Sequence, residues 1–286
     1  MTHASVPAGP PPKINRTVPH SSRVWHYLLG GKDAYEVDRA AGDRYRETFP
    51  AVTDVARAAR DFQARALRCL TVEEGIRQFL DVGIGLPVAE HTHQTVQRLA
   101  PAARIVYADN DPLVLAHARA LFAGTPGGAV ECVEADLHAP GDLLRRAART
   151  LDLRRPVALI LGGVLGHVED TAEARSLVRA LVSGLPAGSC AVISDGTALA
   201  AEAVRAQREY NDSGAVPYHL RTPEEISGYF DGLELMEPGV VSCPLWRPAS
   251  PPRGSARPVD AAGGVGGVGR KPWRAADSGP PPGEGH

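Results

Sequence analysis

Beyond Gly75 the chain alternates short apolar runs with amphipathic stretches, the rhythm of a parallel β-sheet covered by helices on both faces. The runs Arg77 to Val82, Arg104 to Asp109, Ala129 to Ala135, Val157 to Val164 and Ser189 to Ser194 read as strands. Helices are expected near Val88 to Leu99, Pro112 to Phe122, Pro140 to Thr150, Thr171 to Ser183 and Leu199 to Tyr210. Thr222, Pro223 and Glu225 then form a capping box that opens a helix to about Phe230, and Leu233 to Trp246 supplies a further strand. Two amphipathic helices precede every strand: Ser21 to Leu29, ended by Gly30 and Gly31, and a longer one over Val52 to Leu70.

Several classes are excluded by simple counts. The longest apolar run, nine residues from Val157 to Leu165, falls well short of the roughly 20 needed to cross a hydrocarbon layer, so no membrane span is expected. The N-terminus has neither a basic start nor an apolar stretch, which predicts no secretory leader and a cytoplasmic protein. Lysine and arginine total 31 against 33 acidic residues, so no global field favours nucleic acid, although arginines on the Val52 to Leu70 helix leave a local patch open. Cys69, Cys132, Cys190 and Cys243 are too widely spaced for a metal site and read as buried thiols; no metal is expected. From Pro248 to His286, 17 of 39 residues are glycine or proline, and composition alone reads Gly263 to Lys271 as linker.

In such a sheet, ligands bind beyond the carboxyl ends of the strands. The first strand runs into Asp81-Val82-Gly83-Ile84-Gly85-Leu86-Pro87, where Gly83 and Gly85 permit a tight turn with main-chain N–H groups facing a ligand. By itself such a turn is a weak signal. The second strand ends in Asp109, 26 residues after Gly83, where a carboxylate accepts hydrogen bonds from a ribose diol; Asp111 reads as the cap of the helix opening at Pro112. The third ends in Glu134-Ala135-Asp136-Leu137, with Asp136 placed to accept from an exocyclic adenine amine or to cap the helix at Pro140. A dinucleotide fingerprint requires a third small residue where this chain has Val88, so a nicotinamide cofactor is the weaker reading and S-adenosylmethionine the stronger.

The segments Gln78 to Pro87, Val106 to Pro112, Glu134 to Leu137 and, most specifically, Val24-Trp25-His26-Tyr27-Leu28-Leu29-Gly30-Gly31-Lys32-Asp33 together resemble an actinobacterial S-adenosylmethionine-dependent methyltransferase family formerly known only as a domain of unknown function. The resemblance covers about Arg23 to Lys271. It implies an α/β, Rossmann-like class I methyltransferase fold with a seven-stranded, mostly parallel sheet and an N-terminal helical cap. It also implies that Gly266 to Lys271 is a final antiparallel strand, against the compositional reading. Disordered tails are expected at 1–20 and 272–286, a helical cap or lid at 21–75 and the methyltransferase core at 76–271.

By the same resemblance the cofactor is S-adenosyl-L-methionine, held by Asp81, Gly83, Gly85, Asp109, Asn110, Asp136 and Leu137, with Gly31 and Lys32 contributed by the cap. Its sulfonium already activates the methyl group, so the protein has mainly to align an acceptor and exclude water. A general base is required only for a weakly acidic acceptor such as a hydroxyl, and His167, His26 and Tyr27 are the candidates. The segment from Tyr210 to Tyr218 is a second candidate wall for the substrate. The expected function is methyl transfer to a small-molecule acceptor, with a non-catalytic S-adenosylmethionine-binding protein and a nicotinamide-dependent oxidoreductase as alternatives.

Overall fold

A computed structural model describes residues 14–87, 90–248 and 263–273. Residues 1–13 and 274–286, assigned above to the tails, lie outside the described residues, as do Val88 and the whole segment between Pro248 and Gly263. The parallel strands are β1 (Gln78–Val82), β2 (Arg104–Asp109), β3 (Ala129–Glu134), β4 (Ala158–Gly162) and β5 (Cys190–Gly196). They are followed by β6 (Glu234–Leu235), β7 (Val241–Ser242) and β8 (Gly264–Arg270). The order across the sheet is β3-β2-β1-β4-β5-β8-β6, with β7 also paired to β8. Strand order therefore reverses between β1 and β4, which pair in register Phe79 to Ala158 through Val82 to Leu161. Each of these residues is buried because helices cover both faces of the sheet.

The helices are α1 (Ser21–Leu28), α2 (Glu36–Thr48), α3 (Val52–Val72), α4 (Thr92–Leu99), α5 (Pro112–Leu121), α6 (Pro140–Ala147), α7 (Thr171–Ser183), α8 (Ala201–Asn211) and α9 (Pro223–Ser227). Among the described residues no helix is long and apolar enough to cross a membrane. On one face of the sheet, Phe62, Ala66, Leu67 and Leu70 of α3 pack on Phe79, Ile105, Ile160 and Val268. The opposite face is covered by α6, α7 and the α9 region, with Leu143, Val178, Leu181, Ile226 and Phe230 in its core. A third, smaller core joins Val24 and Leu28 of α1, Ala41 of α2 and Val52 of α3 to Ala203, Ala206 and Tyr210 of α8. Burying about six such side chains stabilises this N-terminal helical layer by on the order of 10 kcal/mol before ordering entropy is counted.

Two sequence readings need correction. Gly263 to Lys271 is not linker: residues 264–270 pair antiparallel with the whole of β5, from Cys190 with Arg270 to Gly196 with Gly264. Its glycines answer to space on both faces. A Cβ at Gly266 would lie 2.7 Å from the Phe62 ring, and one at Gly269 would lie 2.8 Å from the Phe230 ring, so neighbouring aromatics fill the room that side chains would take. The stretch Leu233 to Trp246 is not one strand but β6 and β7, separated by a turn at the cis Glu237-Pro238 bond and followed by a 3-10 turn at Cys243–Leu245. All four cysteines are free and buried, as expected from their spacing.

α2 was not expected. Its sequence, EVDRAAGDRYRET, buries only Asp38, Ala41 and Gly42, so it carries no apolar stripe to read. It is held instead by close approach and polar contacts. A Cβ at Gly42 would lie 2.7 Å from the Tyr27 ring. Buried Asp38 accepts from Arg23 Nε at 2.8 Å, the His20 N–H at 3.0 Å and the Tyr35 N–H at 2.9 Å, fastening α1 to α2.

Candidate functional site

A cavity of about 420 Å³ opens over the carboxyl ends of β1, β2, β4 and β5, at the point where strand order reverses. Its floor begins at the β1 turn. Gly83 has φ +73° and Gly85 φ +63°, left-handed values that cost an L side chain about 1–2 kcal/mol. Space is equally limiting at Gly83, where a Cβ would lie 2.4 Å from Val164 Cγ2 at the end of β4. The turn is pinned by the Gly83 N–H, which donates to Ala108 O at 2.8 Å.

Asp109, at the end of β2, is buried and lines the cavity. Its Oδ2 accepts from the Gly85 N–H at 3.3 Å and its Oδ1 from the Asp111 N–H at 2.9 Å, so each oxygen keeps a lone pair for a ligand. Burial raises its pKa, opposed by those two hydrogen bonds. Asp111 caps α5 by accepting from the Leu113 N–H at 2.8 Å, as expected of it, while Asp109 faces the cavity. Asp136 does not cap α6; it accepts from the His138 N–H at 2.9 Å, which is the largest cause of its lowered pKa. Asn110, Asp136 and Leu137 join Gly83, Gly85 and Asp109 in the lining.

Asp81 lies below the turn. Its Oδ2 accepts from Thr92 Oγ1 at 2.6 Å and from Gln63 Nε2 at 3.4 Å, and burial holds its pKa up at about 6 against those donors and the Arg60 charge. Arg60 and Gln63 reach this place from α3 and both line the cavity. Sequence reading assigned α3 its amphipathic pattern but not these two residues, because helical spacing does not tell a solvent-facing arginine from one turned toward a strand end.

Over the turn runs α1. His20 Nε2 lies 3.5 Å from Asp111 Oδ2, Ser22 Cβ would lie 3.9 Å from a Cβ at Gly85, and Trp25 and His26 line the cavity. His26 is buried, with Nε2 accepting from the Asp33 N–H at 3.1 Å and Nδ1 without a partner; burial lowers its pKa. Gly31 fits against it, since a Cβ there would lie 2.1 Å from His26 Nε2. Tyr27, Gly31 and Lys32 are not among the described residues lining the cavity. The Tyr27 hydroxyl donates to Asp43 Oδ1 at 2.8 Å, directed toward α2, and Lys32 is exposed.

The β4 and β5 ends complete the cavity. His167 lies in a 3-10 turn after β4, with Nδ1 2.9 Å from Pro217 O and its ring edge-on to Tyr218; burial lowers its pKa. Tyr218 donates its hydroxyl to Asp195 Oδ1 at the end of β5, and the Gly196 N–H donates to that hydroxyl at 3.2 Å. The Tyr210 to Tyr218 segment named from sequence thus does line the cavity, through Tyr210, Val216 and Tyr218. Asp195 was missed, although the test applied to β2 and β3, an acid at the end of a strand, finds it in Ile193-Ser194-Asp195-Gly196.

The residues present fit S-adenosylmethionine: a turn that a Cβ would obstruct, an acid with free lone pairs after β2 and a second acid after β3. Comparison with known proteins points the same way. The sequence profile of a family described as S-adenosyl methyltransferase matches residues 7–272. A solved structure of a DUF574 family protein from Streptomyces avermitilis is 42% identical, covers 90% of this chain and 99% of its own, and superposes with a TM-score of 0.85. A protein from Thermobifida fusca designated a methyltransferase is 36% identical, covers 90% of this chain and 96% of its own, and gives 0.83. Among curated proteins none matches.

Proposed function

Because the chain belongs to the S-adenosyl methyltransferase family and is an enzyme that uses S-adenosyl-L-methionine, we propose that it methylates a small-molecule acceptor inside the cavity between α1 and the strand ends. The observation that carries the acceptor class is the concave shape of the site. One cavity joins the strand-end acids to an apolar compartment walled by Phe49, Val52, Val55 and Ala59, under a helical layer with its own core. Such a space accommodates a small molecule and gives no continuous basic surface to a nucleic acid.

When bound, S-adenosyl-L-methionine supplies a methyl group already activated by its sulfonium. In this reading the N–H groups of the Gly83 to Gly85 turn face its methionine part, with Asp81 beneath and Arg60 positioned for a carboxylate. Asp109 accepts from the ribose hydroxyls through its two remaining lone pairs, and Asp136, Asn110 and Leu137 border the adenine. His26 and Trp25 on α1 close the site from water as a lid, held shut by the Arg23–Asp38 pair. His167 and His26, both lining the cavity with lowered pKa, are the bases available if the acceptor is a hydroxyl. Tyr27, Gly31 and Lys32 act through the lid: Gly31 makes room for the His26 ring, and Tyr27 ties α1 to α2. The proposed location is the cytoplasm.

The test is incubation of the protein with methyl-labelled S-adenosylmethionine and a low-molecular-weight metabolite extract. Label is expected in an extractable small product with wild type and not with Asp109→Ala. Label recovered only in protein or nucleic acid added in parallel overturns the acceptor class.

A further inference from the structure

Asp195 is a buried carboxylate whose needs are half met. The residue is 5% exposed at the end of β5, and Oδ1 takes both the Tyr218 hydroxyl and the Gly196 N–H, while Oδ2 has no partner. No ion pair joins it to a cation among the described residues. Arg221, the nearby cation, commits its guanidinium to the carbonyls of Leu165 and Val168 and to Thr171 Oγ1. A buried carboxylate left in this state is costly and is relieved by a cation or by a proton. Two further buried oxygens, Thr197 Oγ1 and Tyr210 Oη, also lack partners, and both residues line the same cavity as Asp195.

These groups stand on the acceptor side of the site. Asp81 lies on β1 and Asp195 two strands away, across β4, so about 10 Å separates them at the usual strand spacing. The ends are continuous: Gly83 abuts Val164, and a Cβ at the neighbouring Gly163 would lie 4.0 Å from Tyr218 Oη. A ligand whose activated methyl lies over the β1 turn therefore presents it toward the Asp195 compartment. Val168, Ala203, Val216 and Leu220 supply apolar wall there and the Gln207 amide is committed to Tyr45 and Asn211, while His167 and Ser194 add polar edges, so a partner for Oδ2 arrives on a mainly apolar body.

We propose that the acceptor is a primary or secondary amine on an apolar, small-molecule body, and that Asp195 Oδ2, with Thr197 and Tyr210, binds the reacting nitrogen. This rests on the methyltransferase reading. The amine binds as its ammonium and passes one proton through Asp195 Oδ2 to solvent; the lone pair so freed forms the new N–C bond as the S–C bond breaks, with that bond's electron pair staying on sulfur. Positive charge thereby moves from sulfur to nitrogen, toward the carboxylate, and the proton that the methylated nitrogen sheds goes to Asp195 Oδ2. A hydroxyl acceptor brings no positive charge to this oxygen and leaves the carboxylate uncompensated. Placing the negative charge where positive charge develops is the arrangement that favours the transition state over the ground state.

The test is a binding screen on protein saturated with S-adenosylhomocysteine, using arylalkyl amines such as benzylamine and phenethylamine homologues alongside their neutral oxygen and carbon isosteres, read by saturation-transfer NMR. Amines are expected to bind wild type at least tenfold more tightly than the isosteres. Asp195→Asn is expected to abolish that preference while S-adenosylhomocysteine binds within twofold of wild type. Isosteres that bind as well as amines, amines that bind Asp195→Asn unchanged, or a cofactor-loaded protein that takes neither set overturns the inference. The wild-type comparison stands by itself should the variant fail to fold. A wild type that does not bind S-adenosylhomocysteine overturns the underlying methyltransferase reading, and this inference with it.

Discussion

Gly83→Ala tests the physical coupling between the β1 turn and the segment after β4. The substitution meets two separate penalties. A φ of +73° costs an alanine about 1–2 kcal/mol, and the new methyl would lie 2.4 Å from Val164 Cγ2 and 2.6 Å from Val164 Cβ, an overpacking that costs about 1–3 kcal/mol. Together they amount to roughly 2–5 kcal/mol, or a fall in thermal midpoint on the order of 5–15 °C for a chain of this size. The two parts separate in a double-mutant cycle with Val164→Gly, which deletes every Val164 atom near the new methyl. That second substitution is expected to recover the steric part, about 1–3 kcal/mol, and to leave the backbone part in place. Differential scanning calorimetry of the four proteins supplies the midpoints, and titration calorimetry with S-adenosylhomocysteine is expected to show an affinity at least about tenfold weaker for Gly83→Ala. A Gly83→Ala protein as stable as wild type, or midpoint losses that simply add across the cycle, refutes the reasoning.

Other perturbations report on the packing of α1 against α2 and on the buried acids. Asp38→Ala leaves Arg23 buried without its partner and removes the acceptor for two backbone N–H groups; a loss of about 3–5 kcal/mol is expected, with faster proteolysis around residues 20–35 that S-adenosylhomocysteine suppresses only in wild type. Asp81 and Asp195 are each raised from 3.8 to about 6 by burial, so the folded apo protein holds more protons than the unfolded chain in that window. Their contribution to stability is therefore present below about pH 4, declines as pH rises to about 6 and is level above it, on the order of 3 kcal/mol for each group. Asp81→Asn is expected to make the difference between its unfolding free energy and that of wild type change by that amount between pH 4 and 6, as followed by urea denaturation. A pH-independent difference contradicts the assignment.

What could be read from the sequence follows from where the information lay. The central parallel strands were legible because burial on both faces leaves mostly apolar runs, and the edge strand β3 through its place in the β-α rhythm; Asp109 and Asp136 stood out as acids at or just after strand ends, whereas Asp81 came only from the family resemblance. Asp195 follows the same rule at β5 and went unnoticed because its role is set by Tyr218, 23 residues later, through a contact that no local pattern encodes. α2 was silent since it binds its neighbours through Gly42, Asp38 and hydroxyl contacts such as Tyr45 to Gln207 rather than an apolar stripe. β8 read as linker because its side-chain volume is supplied from elsewhere, by Phe62 and Phe230. Resemblance to a family recovered that strand where composition misjudged it. The placements of Tyr27, Gly31 and Lys32 depend on how α1 turns on α2, a tertiary fact that a motif of consecutive residues does not contain.

The central claim is that the acids at the strand ends form an S-adenosylmethionine site, with Asp109 holding the ribose. Titration calorimetry of wild type and Asp109→Ala with S-adenosylhomocysteine, and with the nicotinamide dinucleotide as control, tests it most directly. Two charge-assisted hydrogen bonds at about 1.5–3 kcal/mol each predict binding to wild type that weakens by at least about 100-fold in the variant, with no binding of the dinucleotide to either. Equal affinity of the two proteins for S-adenosylhomocysteine, or binding of the dinucleotide alone, contradicts it.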